Sequence, residues 1–154
     1  MRNALACLVA IIATVPVHAG FSTTELLVPA GGRATGAGGS EFSSTLWITN
    51  PTAAPASVQI QFLLSGQANT APATFNDQIA PGATRVYEDI AGTLFHANGL
   101  VGAARITSNA AVIVASRAHT NNVGVSISGV PPEAGVRVGE TGIMQGVRQT
   151  PDFR

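Results

Sequence analysis

The sequence predicts an all-β fold, an antiparallel sandwich of about seven to nine strands with one short helical turn. Three observations predict it. Apolar residues recur with a period of two in several segments, as half-buried strands require. Gly, Pro and Asn punctuate those segments about every ten residues, the spacing of sandwich strands. No long amphipathic segment stands between them, so a parallel sheet would lack its crossover helices.

The elements follow in chain order. Glu25 to Pro29 is a short first strand. Gly31-Gly32 and the glycines between Gly36 and Gly39 read as a flexible inter-strand loop. Phe42 to Thr49 carries Ser44, Leu46 and Ile48 in one phase and Thr45, Trp47 and Thr49 in the other. It stops at Asn50-Pro51, because the residue before proline is pushed out of the helical region. Val58, Ile60, Phe62 and Leu64 then alternate with Ser57, Gln59, Gln61 and Leu63. Thr74 to Ile79 is a weaker strand, and Ala80-Pro81-Gly82-Ala83 a turn in which proline sets one angle and glycine accepts the positive one. Thr84 to Asp89 is a further strand.

Asp89 to His96 is the one helical segment. Ile90, Leu94 and Phe95 have helical spacing, Asp89 suits the cap, and Gly92 holds the length to a turn or two. Its expected place is a plug at one end of the sandwich. Val101 to Thr107 and Ala111 to His119 read as a hairpin about Ser108-Asn109-Ala110, and their many alanines and valines imply close approach of the sheets. Val123 to Val130 alternates as a last strand. Phe42, Phe62, Phe75 and Phe95 are expected in the core.

Composition narrows the function. Of 154 residues, 45% are hydrophobic, which excludes a disordered chain even though only 10% are charged. The formal net charge is zero, which excludes nucleic-acid binding through bulk positive charge. Residues 1–19 have the layout of a secretory signal peptide: a positive start at Arg2, an apolar run from Ala4 to Val17, and Val17-His18-Ala19 before a cleavage point at Gly20. That run is shorter than the roughly 20 residues of a membrane span. The expected location is therefore secreted or periplasmic in a bacterium, with no membrane span in the mature chain. Cys7, the only cysteine, falls in the leader, so the mature chain is expected to form no disulfide and to use no thiolate chemistry.

A set of residues adds a resemblance. Leu27-Val28-Pro29-Ala30, Gly38-Gly39, Phe42 through Pro51, the Pro81-Gly82 turn, Tyr87-Glu88-Asp89-Ile90, Leu94-Phe95 and Ser116-Arg117 together resemble an uncharacterised group of immunoglobulin-like β-sandwich modules of secreted bacterial proteins, often found in tandem. Ala118-His119 stands where the group often has an aromatic strand. The resemblance covers about Thr23 to Pro131 and implies an immunoglobulin-like sandwich over residues 20–131. It implies a core position for Trp47, since such cores often bury a tryptophan. Residues 132–154 form a tail. Glu140 to Val147 echoes Thr24 to Pro29, and Asp152-Phe153-Arg154 echoes Glu41-Phe42-Ser43. The tail is therefore either a linker running into the start of a truncated second module or the last strand of a single one.

No strong chemical motif emerges. His96 and His119 are the two histidines after the leader and lack metal-ligand spacing. The glycine clusters lack the lysine and the strand-to-helix setting of phosphate loops, so no cofactor is expected. Three readings of function remain. The first is a non-catalytic secreted structural or adhesive module contacting an extracellular protein or surface. The second is a carbohydrate-binding module stacking a polysaccharide on exposed Trp47 or Tyr87. The third is a small secreted hydrolase using Ser116, His119 and Asp89, although Ser116 and His119 face opposite ways on a regular strand. Candidate ligand contacts are Trp47, Tyr87, Arg105 and Arg117, the two arginines forming with Arg85 a candidate anion-binding patch.

Overall fold

The computed structural model describes residues 20–121 and 123–142; the expectations for residues 1–19 and for the tail from 143 onward lie outside them. The fold is the expected antiparallel sandwich with one short helix. The described residues form eight strands: β1 (Ser22–Gly32), β2 (Ala34–Thr35), β3 (Glu41–Thr49), β4 (Ala56–Leu64), β5 (Ala73–Ile79), β6 (Thr84–Tyr87), β7 (Val101–Thr120) and β8 (Val123–Ser128). The helix α1 spans Ile90–Leu94.

The eight strands form one hydrogen-bonded sheet that folds over on β7. The first half of β7 lies between β1 and β4, and β4 carries β5 on its far side. The second half lies between β3 and β8, and β3 carries β6. With β2 paired to the start of β3, a four-stranded and a five-stranded half-sheet thus share one long strand. Leu26, Val28, Ile60 and Ile106 from the first half-sheet meet Leu46, Ile48, Val112 and Val114 from the second in a single core. Each such fully buried side chain contributes about 1.5–3 kcal/mol.

The expected hairpin at Ser108-Asn109-Ala110 is not formed; β7 runs through it as one 20-residue strand. Of the side chains that favour turns, Asn109 serves the neighbouring strand β4 and Ser108 bonds locally within β7. Asn109 Oδ1 accepts the Ser57 N–H at 2.8 Å, and Ser108 Oγ accepts the Ala110 N–H at 3.3 Å. The inward phase continues through Ala104, Ile106, Val112, Val114 and Ser116, all buried. A second difference concerns the glycine-rich loop. Gly31 and Gly32 end β1, β2 pairs with the start of β3, and residues 37–39 form one turn of 3-10 helix.

Other local expectations match. Ala83 N–H donates to Ala80 O at 3.1 Å around Gly82, whose φ is 67°. Asn50 is fully buried at the end of β3, where its amide donates to the carbonyls of Ala54, Ile79 and Ala80. Asp89 caps α1, accepting the Gly92 N–H at 3.2 Å, and Ile90 and Ala91 plug the core as expected. Phe62 is buried and stacks on half-buried Phe95 with ring centroids 5.5 Å apart. Phe75 is half-buried, edge-on to Tyr87. Phe42 departs from the core expectation and is 41% exposed. It has the inward phase of β3 but lies beyond the cover of the facing half-sheet, its ring against Gly36.

Candidate functional site

The expectation of a core Trp47 is overturned. Leu46 and Ile48 take the core phase of β3, so Trp47 between them turns to the outer face of the second half-sheet, where it is half-buried. Directly opposed residues of antiparallel strands share a face. Trp47 is opposed by Val86 on one side and Ala115 on the other, and Ala115 by Ser128. Val86 is 47% exposed, and Ile113, one row away, is also exposed. The ring therefore sits in an apolar patch built from three strands.

Both borders of that patch carry polar groups. Thr45 is opposed by Arg117 and Ser43 by His119. Thr45 Oγ1 and His119 Nε2 are 3.3 Å apart, and on the far border Thr49 Oγ1 and Thr84 Oγ1 hydrogen-bond at 2.8 Å. A half-open indole ringed by hydroxyls can take either an aliphatic side chain or the apolar face of a sugar ring.

The other candidate contacts lie elsewhere. Tyr87 is buried in the core and donates from its hydroxyl to Asp77 Oδ2 at 2.9 Å. Burial, the bond to that carboxylate and its charge together push the phenol well above its usual range, against the opposing pull of Arg85. Asp77 shows the reverse balance. Burial acts to raise its carboxyl, but the Gln78 N–H, the Tyr87 hydroxyl and the Arg85 guanidinium outweigh it and hold the group below its usual value.

Arg105 lies on the outer face of the first half-sheet, paired with Glu25 at 2.8 Å. Arg85 turns inward from β6 to Asp77 at 3.1 Å. Arg117 belongs to the Trp47 face. The three arginines therefore point from three different places and do not converge into one patch.

The hydrolase residues are separated as well. Ser116 is buried in the core, with its Oγ unpaired. His119 is on the outer face beside Thr45, and Asp89 holds the α1 cap and an ion pair with Arg33. Among the described residues no three His, Cys, Asp or Glu side chains group as metal ligands, and no helix is long and apolar enough to cross a membrane.

A second feature was not legible in the sequence. An apolar cleft of about 550 Å³ opens at the end of the sandwich, lined by Pro29, Gly32, Phe42, Ser44, Val101 and Ala118. Only the folding of the sheet brings β1, β3 and β7 together there. Exposed Phe42, whose phase alone reads as core, marks its rim.

No family model matches the chain, and no curated protein matches it. Solved structures do. The Thermotoga maritima protein 1070 is similar over 73% of this chain and 96% of that one, with 18% identity and a TM-score of 0.56. The Anabaena sensory rhodopsin transducer is similar over 69% of this chain and 93% of that one, with 17% identity and a TM-score of 0.45. At 18% identity the first likeness speaks for the fold alone: this strand path is one that a known protein uses.

Proposed function

We propose that the chain is a non-catalytic secreted module, structural or adhesive, that makes extracellular contacts through the outer face around Trp47. The observation that carries this reading is half-buried Trp47 beside exposed Val86 and Ile113 on one strand face. A half-open tryptophan on a rigid sheet offers a large contact area with little side-chain entropy to lose. The leader-like residues 1–19 and the resemblance to secreted bacterial immunoglobulin-like modules support export. The separation of Ser116, His119 and Asp89 supports binding over hydrolysis.

Trp47 is the chain's only tryptophan, so its fluorescence reports this face alone. Titration against a panel of extracellular proteins and neutral polysaccharides is expected to shift that emission for at least one of them. Trp47→Ala lacks the reporter and is titrated by calorimetry beside the unaltered chain; it is expected to weaken the interaction at least about tenfold while leaving the fold intact, the behaviour of a contact hot spot. A ligand whose affinity is unchanged in Trp47→Ala sinks the assignment of this face. A polysaccharide as the binder favours the carbohydrate reading, which the hydroxyls of Thr49 and Thr84 beside the ring support.

A further inference from the structure

We propose that β8 is the edge on which a second copy of this chain docks, strand to strand and antiparallel across a two-fold axis. The proposal starts from how the sheet treats its edges. An open edge carries unpaired N–H and C=O groups, and proteins protect such edges with charge, proline, bulges or cover. The edge of β5 carries Asp77 and the edge of β6 carries Arg85, both turned inward, and they pair with each other. The far side of β1 is covered where Leu27 and Val130 exchange two backbone hydrogen bonds of 2.8 Å.

Among the described residues β8 has none of these devices. Its sequence is Val123-Gly124-Val125-Ser126-Ile127-Ser128, without a charge or a proline. Among the described residues β7 alone pairs with it, and none of them forms a strand along its far edge. Its inward phase is apolar yet uncovered: Val123 is 75% exposed and Val125 59%. Val125 is opposed by Ala118, which lines the apolar cleft beside Phe42, so the bare edge continues into that cleft.

The pattern of β8 selects a copy of itself as the occupant. In an antiparallel pair, any register that sets odd positions opposite odd ones places Val123, Val125 and Ile127 of both strands on one face. Gly124, Ser126 and Ser128 fall on the other. Valine then meets valine or isoleucine, small polar meets small polar, and no charge is buried or opposed. A charged extended peptide finds no partner on this strand. The dimer joins two second half-sheets into one continuous sheet and sets the two Trp47 faces side by side, roughly five strand spacings or about 24 Å apart. The proposal does not rest on the Trp47 reading, since mass reports the dimer and fluorescence reports the ligand.

Sedimentation equilibrium of the purified full chain, from about 1 to about 200 μM, tests it. The expected result is a monomer–dimer equilibrium in that range. Val125→Lys puts a charge on an already exposed position and is expected to weaken the dimer at least about tenfold with unchanged circular dichroism. A second arm uses single cysteines at positions 123 to 127 in a Cys7→Ser background. Only the position at the two-fold axis meets its own copy, so one substitution is expected to give a disulfide-linked dimer under mild oxidation. A monomer at every concentration overturns the proposal, whether another segment lies on β8 or nothing does. So does a dimer that survives Val125→Lys and crosslinks at none of these positions.

Discussion

Gly92 shows how a residue that looks like a local weakness becomes a packing requirement. On propensity alone, alanine at this helical position is favoured by about 1 kcal/mol. The structure reverses the sign. A Cβ there runs into Asp89 Oδ2 and comes within 3.0 Å of Arg33 Nη1, so it displaces the cap and the ion pair together. Gly92→Ala is expected to destabilise by about 1–2 kcal/mol in chemical denaturation. In an Asp89→Ala background the same change is expected to be neutral or stabilising, because the obstacle is gone. The cap itself was legible, since Asp89 acts within three residues of its own chain. The distant Arg33 was not. A second prediction concerns Asp77 and Tyr87. Asp77 has its folded pKa lowered, so its contribution is full above the unfolded value of about 3.9 and is lost as pH falls through the folded one. Tyr87 has its folded pKa raised, so its contribution is full below about 10 and is lost as pH rises from there toward the folded value. Thermal stability is therefore expected to fall at both extremes. Asp77→Asn is expected to flatten the acid limb and Tyr87→Phe the alkaline one. Tyr87 is the only tyrosine, so its phenolate absorbance reads the same event directly. A normal phenol titration near 10 in the folded protein contradicts the prediction.

At the scale of elements, the sequence was most legible where one strand had one clear phase. β4 has apolar Val58, Ile60 and Phe62 inside and hydrophilic Ser57, Gln59 and Gln61 outside, and it folds as read. The Pro81-Gly82 turn and the helix α1 also came through, because both are set by neighbours in sequence. β7 departs from the expected hairpin for a physical reason. Ser-Asn-Ala has the chemistry of a turn, but those side chains can equally serve a neighbouring strand, as Asn109 does for Ser57. The clue was in the phase. Small or apolar residues fill every even position from Ala104 to Ala118, straight through the supposed turn. β3 posed the opposite problem. Both of its phases carry a large apolar residue, and only the pairing of Leu46 with Tyr87 and of Trp47 with Val86 decides which is inside. The candidate site was therefore half legible: Trp47 and Arg117 could be named, but their shared face depends on β3 pairing with β7.

At the scale of the whole molecule, charge decides what kind of contact this sandwich can make. The formal net charge is zero, and three of the arginines are matched by carboxylates: Arg33 by Asp89, Arg85 by Asp77 and Arg105 by Glu25. Little long-range field is left to steer or hold a charged ligand. The patch around Trp47 is apolar at its centre, and apolar burial is insensitive to moderate salt, whereas surface charge pairing is screened beyond about 10 Å at 0.1 M. Affinity at this face is thus expected to change by less than about threefold between about 50 and 500 mM sodium chloride. The measurement is the same Trp47 fluorescence titration repeated across that series. A polyanion docking through Arg117 gives a different curve, with log affinity falling linearly as log salt rises. A slope near zero, together with loss of binding heat in Trp47→Ala by calorimetry, places the contact energy on the ring. A steep slope that flattens in Arg117→Ala transfers it to the guanidinium and overturns the apolar reading of this face.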